Sequence, residues 1–173
     1  MMLDEADAKL NIIVDLIPKG CSNRPGTKIQ PSFITIHNTA NRAPGADALA
    51  HARYLKGPDA RRREVSWHYT VDDTRCVKHL PLSEMGWHAG RRGNERSIGI
   101  EVCESEGIDQ EAAFDRACLL AAVLARRFGI RPGNIVTHKR WTGKNCPKVI
   151  LHSPGGMHGF VERATAFLAV ISA

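Results

Sequence analysis

The stretch Ser32-Phe33-Ile34-Thr35-Ile36-His37 alternates polar and apolar side chains and is rich in β-branched residues. A period of two is the signature of a β-strand, with successive side chains on opposite faces. This strand presents His37 at or near its C-terminal end. The same pattern returns in Ile98-Gly99-Ile100-Glu101-Val102-Cys103. Alternation there sets Ile98, Ile100 and Val102 on one face, with Gly99 and Glu101 on the other.

Outward from these two strands, the spacing predicts helices between strands. A helix runs from an Asp47 cap to Lys56, stopped by Gly57 and Pro58. Val65–Val71 and Cys76–Leu80 read as a β-hairpin turning at Asp72 and Asp73, and Arg61-Arg62-Arg63-Glu64 as an exposed polar run. The clearest helix spans Asp109 to Phe128, where Phe114, Ala117, Leu120, Ala121 and Leu124 recur at three- and four-residue steps before Gly129. Ile135–His138 is a further short strand or strand end, and a helix over His158–Ile171 closes the chain. PKGCSNRPGTKIQP and GWHAGRRGNERS read as loops, and residues before the first loop as a somewhat separate lead-in. Strands mixed with three helices give an α/β fold, a central sheet covered by helices. Strand order is not legible from pattern.

The 173 residues fit one domain over 1–173, and 43% hydrophobic with 24% charged residues is an ordinary globular balance. A net charge of +6 favours a polyanionic partner without choosing among nucleic acid, acidic membrane and anionic cell wall. The five cysteines are odd in number, scattered and free of C-x-x-C pairs, which argues against a disulfide framework. The acidic opening MMLDEADAKL has no secretory pattern, and the apolar run Leu119–Ala125 is too short to span a bilayer. The expectation is cytoplasmic synthesis without a signal peptide.

His37, His138 and Cys146 carry the residue types that borderline-soft zinc prefers. Three such ligands from the edge of a sheet would leave a fourth tetrahedral position open, the catalytic rather than the structural arrangement. On residue type alone a strand-end histidine is more often a hydrogen-bonded structural group, and a lone cysteine before proline a small buried one. Glu101 has two readings as well, a general base with a raised pKa or a solvent-facing glutamate on an edge strand. Lys144 is either a cation aimed at a polarised carbonyl or a surface lysine. Trp67, Trp87 and His88 either line a groove for sugar or peptide or pack on the core.

Taken together, the ordered segments IPKGCSNRPGTKIQPSFITIHNTA, WHYTVDD, GWHAG, SIGIEVCESEG and THKRWTGKNCP resemble the zinc N-acetylmuramoyl-L-alanine amidases of the phage-lysozyme and peptidoglycan-recognition-protein type. The resemblance covers most of the chain up to about Pro147. It implies a central mixed β-sheet flanked by helices and a Zn2+ cofactor held by His37, His138 and Cys146. It also implies catalytic roles for Glu101 and Lys144, and substrate contacts from Trp67, Trp87 and His88. Some relatives carry a tyrosine just before the histidine of the WHYTVDD strand; Trp67 stands there and is no base, which by resemblance places the chain in the branch relying on Glu101 and counts against Tyr69 as a catalytic residue. The implied activity is hydrolysis of the bond between N-acetylmuramic acid and L-alanine in peptidoglycan, as an endolysin or autolysin released to the wall by lysis or a holin. A monomer without nucleic-acid or membrane partners is expected. The alternatives are a non-catalytic peptidoglycan-binding module and a basic nucleic-acid-binding protein. The complete residue set argues against the first, and the dispersed positive charge against the second.

Overall fold

A computed structural model describes residues Met1–Ser172. In it Phe33–Asn38 (β2) and Ser97–Val102 (β5) lie side by side and parallel, in register from Phe33 against Ser97 to Asn38 against Val102. Around them Ile12–Val14 (β1), Tyr69–Val71 (β3), Cys76–Lys78 (β4) and Ile135–Thr137 (β6) complete a six-stranded sheet in the order β1-β4-β3-β5-β2-β6. Every neighbouring pair is parallel except the β3–β4 hairpin. The sheet is therefore mixed and helix-flanked, as expected.

The pleat divides the sheet chemically. Ile34, Ile36, Tyr69, Val71, Ile98, Ile100 and Val102 all join one apolar cluster with Ala117, Leu120, Leu124 and Phe160. These last come from two long helices, Gln110–Phe128 (α5) and Gly156–Val170 (α8). The intervening residues Thr35, His37, Thr70, Gly99 and Glu101 take the opposite face, because successive side chains of a strand alternate. The candidate residues His37 and Glu101 thus sit across the sheet from the main core.

The helical expectations hold where caps were legible. Ala48–Lys56 (α2) begins at Asp47, whose carboxylate accepts the Ala50 N–H at 2.7 Å. The long helix α5 is capped by Asp109 and ends at Gly129, which takes the left-handed φ of 63° that favours glycine. The hairpin turn is held by Asp72, whose Oδ1 accepts from the N–H groups of Thr74 and Arg75.

Other expectations are corrected. Leu3–Leu10 (α1), Pro58–Arg62 (α3), Gly90–Asn94 (α4), His138–Thr142 (α6) and Lys148–His152 (α7) bring the helices to eight among the described residues, not three. Four of these span one turn or little more, too few residues for a 3.6-residue period to show. The N-terminal lead-in is not separate: β1 extends the sheet edge against β4, while Ala6 and Leu10 of α1 enter the main core. The strand predicted from Val65 starts only at Tyr69, although Ser66 and His68 already bond to the Trp87 and Gly99 carbonyls. All five cysteines are free. Among the described residues no helix is long and apolar enough to cross a membrane.

Candidate metal and catalytic site

Three neighbouring parallel strands end at one place, and the candidate residues are where they end. His37 is the penultimate residue of β2 and pairs in register with Glu101 of β5. On the other side Ile36 pairs with Thr137 at the end of β6, so His138, the first residue of α6, comes abreast of His37. His37 Nδ1 lies 3.2 Å from His138 Nδ1 and 3.6 Å from Cys146 Sγ. The three candidate ligand atoms all fall within 4.8 Å of one another.

This spacing fits a tetrahedral ion. Zinc bonds of about 2.05 Å to nitrogen and about 2.3 Å to sulfur require N···N near 3.3 Å and N···S near 3.6 Å. The donor set is also right for zinc, two imidazoles and a thiol with no hard oxygen cage. Residues roughly a hundred positions apart are thus brought to ligand distance by strand pairing, an arrangement that core packing alone does not require.

Local structure fixes each donor. Thr137 caps α6 by accepting the Arg140 N–H at 3.1 Å, which turns the chain sharply at His138. The same helix is pinned to the sheet by Trp141, whose Nε1–H donates to Thr35 Oγ1 at 2.8 Å while its ring stands edge-on to Phe33. Cys146 is placed by its own carbonyl, which accepts the Lys139 N–H, and by Asn38 Oδ1, which accepts the Ile150 N–H just beyond it. His37 and Cys146 are buried and His138 half-buried.

Glu101 completes the cluster, with Oε1 at 3.8 Å from His37 Nδ1 and Oε2 buried without a hydrogen-bond partner. Burial pushes its carboxyl up to about 8, opposed by the Lys144 ammonium and reinforced by Glu104. Burial likewise pushes the Cys146 thiol up to about 11, with Glu101 adding to the effect. It holds His37 well below the usual histidine range, helped by the neighbouring His88 and His138 rings. Neutral imidazoles are ready ligands; the thiol needs a cation beside it to ionise.

The cluster floors a groove of about 690 Å³ whose walls include Trp67, Trp87, His88 and Lys144. Lys144 is exposed at the rim. Trp67 is largely buried, donating Nε1–H to Thr70 Oγ1 at 2.8 Å. Tyr69 lies in the apolar cluster on the other face of the sheet. Groove residues that the sequence reading did not single out include Tyr54 of α2 and Arg63, joined by a 3.2 Å hydrogen bond. The helical face of α2 could have revealed Tyr54, whereas nothing marked Arg63 within its run of arginines.

The family model described as N-acetylmuramoyl-L-alanine amidase matches residues 27–149. The chain is 52% identical over 145 residues to the N-acetylmuramoyl-L-alanine amidase XlyA of Bacillus subtilis (strain 168), covering 82% of this chain and 48% of that protein. It is 46% identical over 141 residues to CwlH of the same organism, covering 79% of this chain and 55% of that one. The solved catalytic domain of XlyA superposes with a TM-score of 0.83 at 49% identity, covering 89% of this chain and 99% of that domain. The chain spans about half the length of the curated relatives it matches. On the match of the family model and the identity to these relatives, the chain belongs to the N-acetylmuramoyl-L-alanine amidase family.

Proposed function

We propose that residues 1–173 form a catalytic domain that hydrolyses the amide between N-acetylmuramic acid and L-alanine in bacterial peptidoglycan, with zinc held by His37, His138 and Cys146. The observation that carries this reading is the convergence of those three ligand atoms within 4.8 Å beside Glu101, on the floor of an open groove. A module that only binds wall would have no need of a buried carboxylate oxygen without a partner there. The identity to named amidases supports the same substrate.

Zinc bound there supplies Lewis acidity at the scissile carbonyl and makes attack by water feasible near neutral pH. Glu101 takes a proton from the attacking water at its carboxylate and delivers it to the departing alanine nitrogen. The Lys144 ammonium, exposed at the groove rim, approaches the oxygen on which negative charge develops. Trp67, Trp87 and His88 shape the wall against which sugar and peptide lie. The net charge of +6 favours approach to anionic wall polymers, and the reading needs no nucleic-acid or membrane partner. The chain acts in this reading as a monomer on the wall, reached after lysis or through a holin, in the manner of an endolysin or autolysin.

Digestion of purified peptidoglycan with the metal-loaded chain, read by mass spectrometry together with zinc content, tests the reading. Free stem peptides beginning with L-alanine, alongside intact glycan strands and one zinc per chain, are expected. New reducing sugar ends, or cleavage inside the stem peptide, would overturn it.

A further inference from the structure

His88 makes a contact that a groove-lining residue does not need. His37 has two ring nitrogens, and Nδ1 faces His138 and Cys146. Its other nitrogen, Nε2, lies 2.9 Å from His88 Nδ1. A nitrogen that ligates a metal must offer a lone pair, so the single proton of neutral His37 sits on Nε2. That proton points at His88 Nδ1, which must then be bare and accepting. The proton of His88 consequently sits on its own Nε2, which is buried without a hydrogen-bond partner.

The His88 ring is held where it is from several sides. The N–H groups of His88 and Ala89 both donate to Asn94 Oδ1, at 2.9 and 2.7 Å, which fixes the loop that carries the ring. The ring rests on Gly99 of β5, where a Cβ would come within 2.9 Å of three of its atoms. His68 stands edge-on to it with ring centroids 5.9 Å apart. That second ring is itself locked, accepting the Gly99 N–H at Nδ1 (3.0 Å) and lying 2.8 Å from the Glu84 carbonyl at Nε2. The glycine in the middle of Ser97–Val102 is thus explained by the space the His88 ring occupies, and two fixed rings stand behind the first ligand.

We propose that His88 is a positioning residue for the metal: by accepting the Nε2–H of His37 it fixes the tautomer and ring orientation that aim His37 Nδ1 at the ion. The inference rests on the zinc reading of the site and adds to it a partner behind the ligands. Partners of this kind set ligand basicity and orientation, and losing one typically weakens metal binding ten- to a hundredfold. His88 need not touch substrate to matter.

The test compares zinc dissociation constants of the metal-stripped wild type, His88→Phe and His88→Asn, measured by competition with a chromophoric chelator. Phenylalanine keeps the ring and loses the acceptor; asparagine keeps an acceptor oxygen close to the place of Nδ1. His88→Phe should bind zinc about ten- to a hundredfold more weakly, with His88→Asn recovering most of the loss. Equal zinc affinity in wild type and His88→Phe, or no recovery in His88→Asn, would overturn the proposal, since a space-filling role predicts the reverse order. Long-range nitrogen–proton NMR on the zinc-loaded wild type decides the matter even if the variants fold poorly. The Nε2–H tautomer of His88 is expected, and a proton on its Nδ1 would sink the inference. A wild-type chain that binds no zinc would sink the metal reading and this inference with it, whereas unchanged binding in His88→Phe would leave that reading standing.

Discussion

His37 and Glu101 are direct partners across two adjacent parallel strands, and their side chains leave the same face of the sheet with Oε1 3.8 Å from Nδ1. Because strand pairing sets this relationship, the candidate base keeps its distance from the candidate metal without relying on loop order. The price of placing a carboxylate there is its burial, which already drives its pKa toward neutrality. A ligand and a base on rigid neighbouring strands are preorganised for one task.

Replacing Glu101 by Gln keeps the shape of the side chain and removes its proton-accepting oxygen. Release of soluble stem peptide should fall by about a hundredfold or more, the usual scale for general acid–base catalysis. Zinc content should stay at the wild-type level, because Glu101 is not among the three converging donors. Wall-clearing activity close to wild type would remove Glu101 from the base role.

Replacing Cys146 by Ser exchanges a soft thiolate for a hydroxyl that stays protonated. Structural zinc sites are worth about 10–16 kcal/mol over four ligands, so one ligand carries on the order of 3 kcal/mol, about a hundredfold in affinity. The variant should lose zinc on dialysis that the wild type retains, as read by metal analysis. Full retention would strike Cys146 from the ligand set.

The parts of the fold legible in the sequence were those that write a long or strict pattern. Alternation in Ser32–His37 and Ile98–Cys103 identified both central strands and placed Glu101 opposite the isoleucines. Asp47, Asp109 and Gly129 marked helix ends because caps have chemical requirements. The one-turn helices α3, α4, α6 and α7 lacked the length to show a period, and α1 with β1 gained its structure from docking rather than from pattern. Residue chemistry alone made His37, His138 and Cys146 one triplet among many; the pairing of Ile36 with Thr137, invisible in sequence, brings His138 beside His37, and the bond from the Lys139 N–H to the Cys146 carbonyl folds the thiol back to them. The contact between His37 and His88 left no sequence signal beyond a glycine at position 99.

Behind the site, Trp141 Nε1–H donates to Thr35 Oγ1, whose hydroxyl donates to Ser97 Oγ at 2.7 Å, which in turn donates to the Gly93 carbonyl at 2.7 Å. This relay ties α6 and α4 to β2 through buried hydroxyls. Thr35→Val preserves volume and leaves the Trp141 Nε1–H without its acceptor and Ser97 Oγ without its donor, which costs about 1–3 kcal/mol for a buried polar group. Urea unfolding should show a lower midpoint at an unchanged slope. An unaltered midpoint would mean that the relay does not anchor α6.

Acid should destabilise the chain through histidines that folding keeps neutral. His79 is buried in the β4–β3 region with Nε2 2.8 Å from Thr70 Oγ1, whose oxygen already accepts from Trp67. Burial holds its pKa down to about 3, against 6.5 for a free histidine. Below pH about 6.5 the unfolded chain takes up a proton at this site that the folded chain refuses, so stability present above that pH is lost as pH falls toward the folded value. Each such histidine adds a slope of about 1.4 kcal/mol per pH unit within that window. His68, held down to about 4 by burial, adds its share between pH 6.5 and 4. His79→Gln retains a polar group without the titration. The free energy of unfolding, measured by urea at pH 6 and pH 4.5 with chelator present, should fall by about 2 kcal/mol less in this variant than in the wild type. An equal fall in both proteins would show that His79 is not kept neutral by the fold.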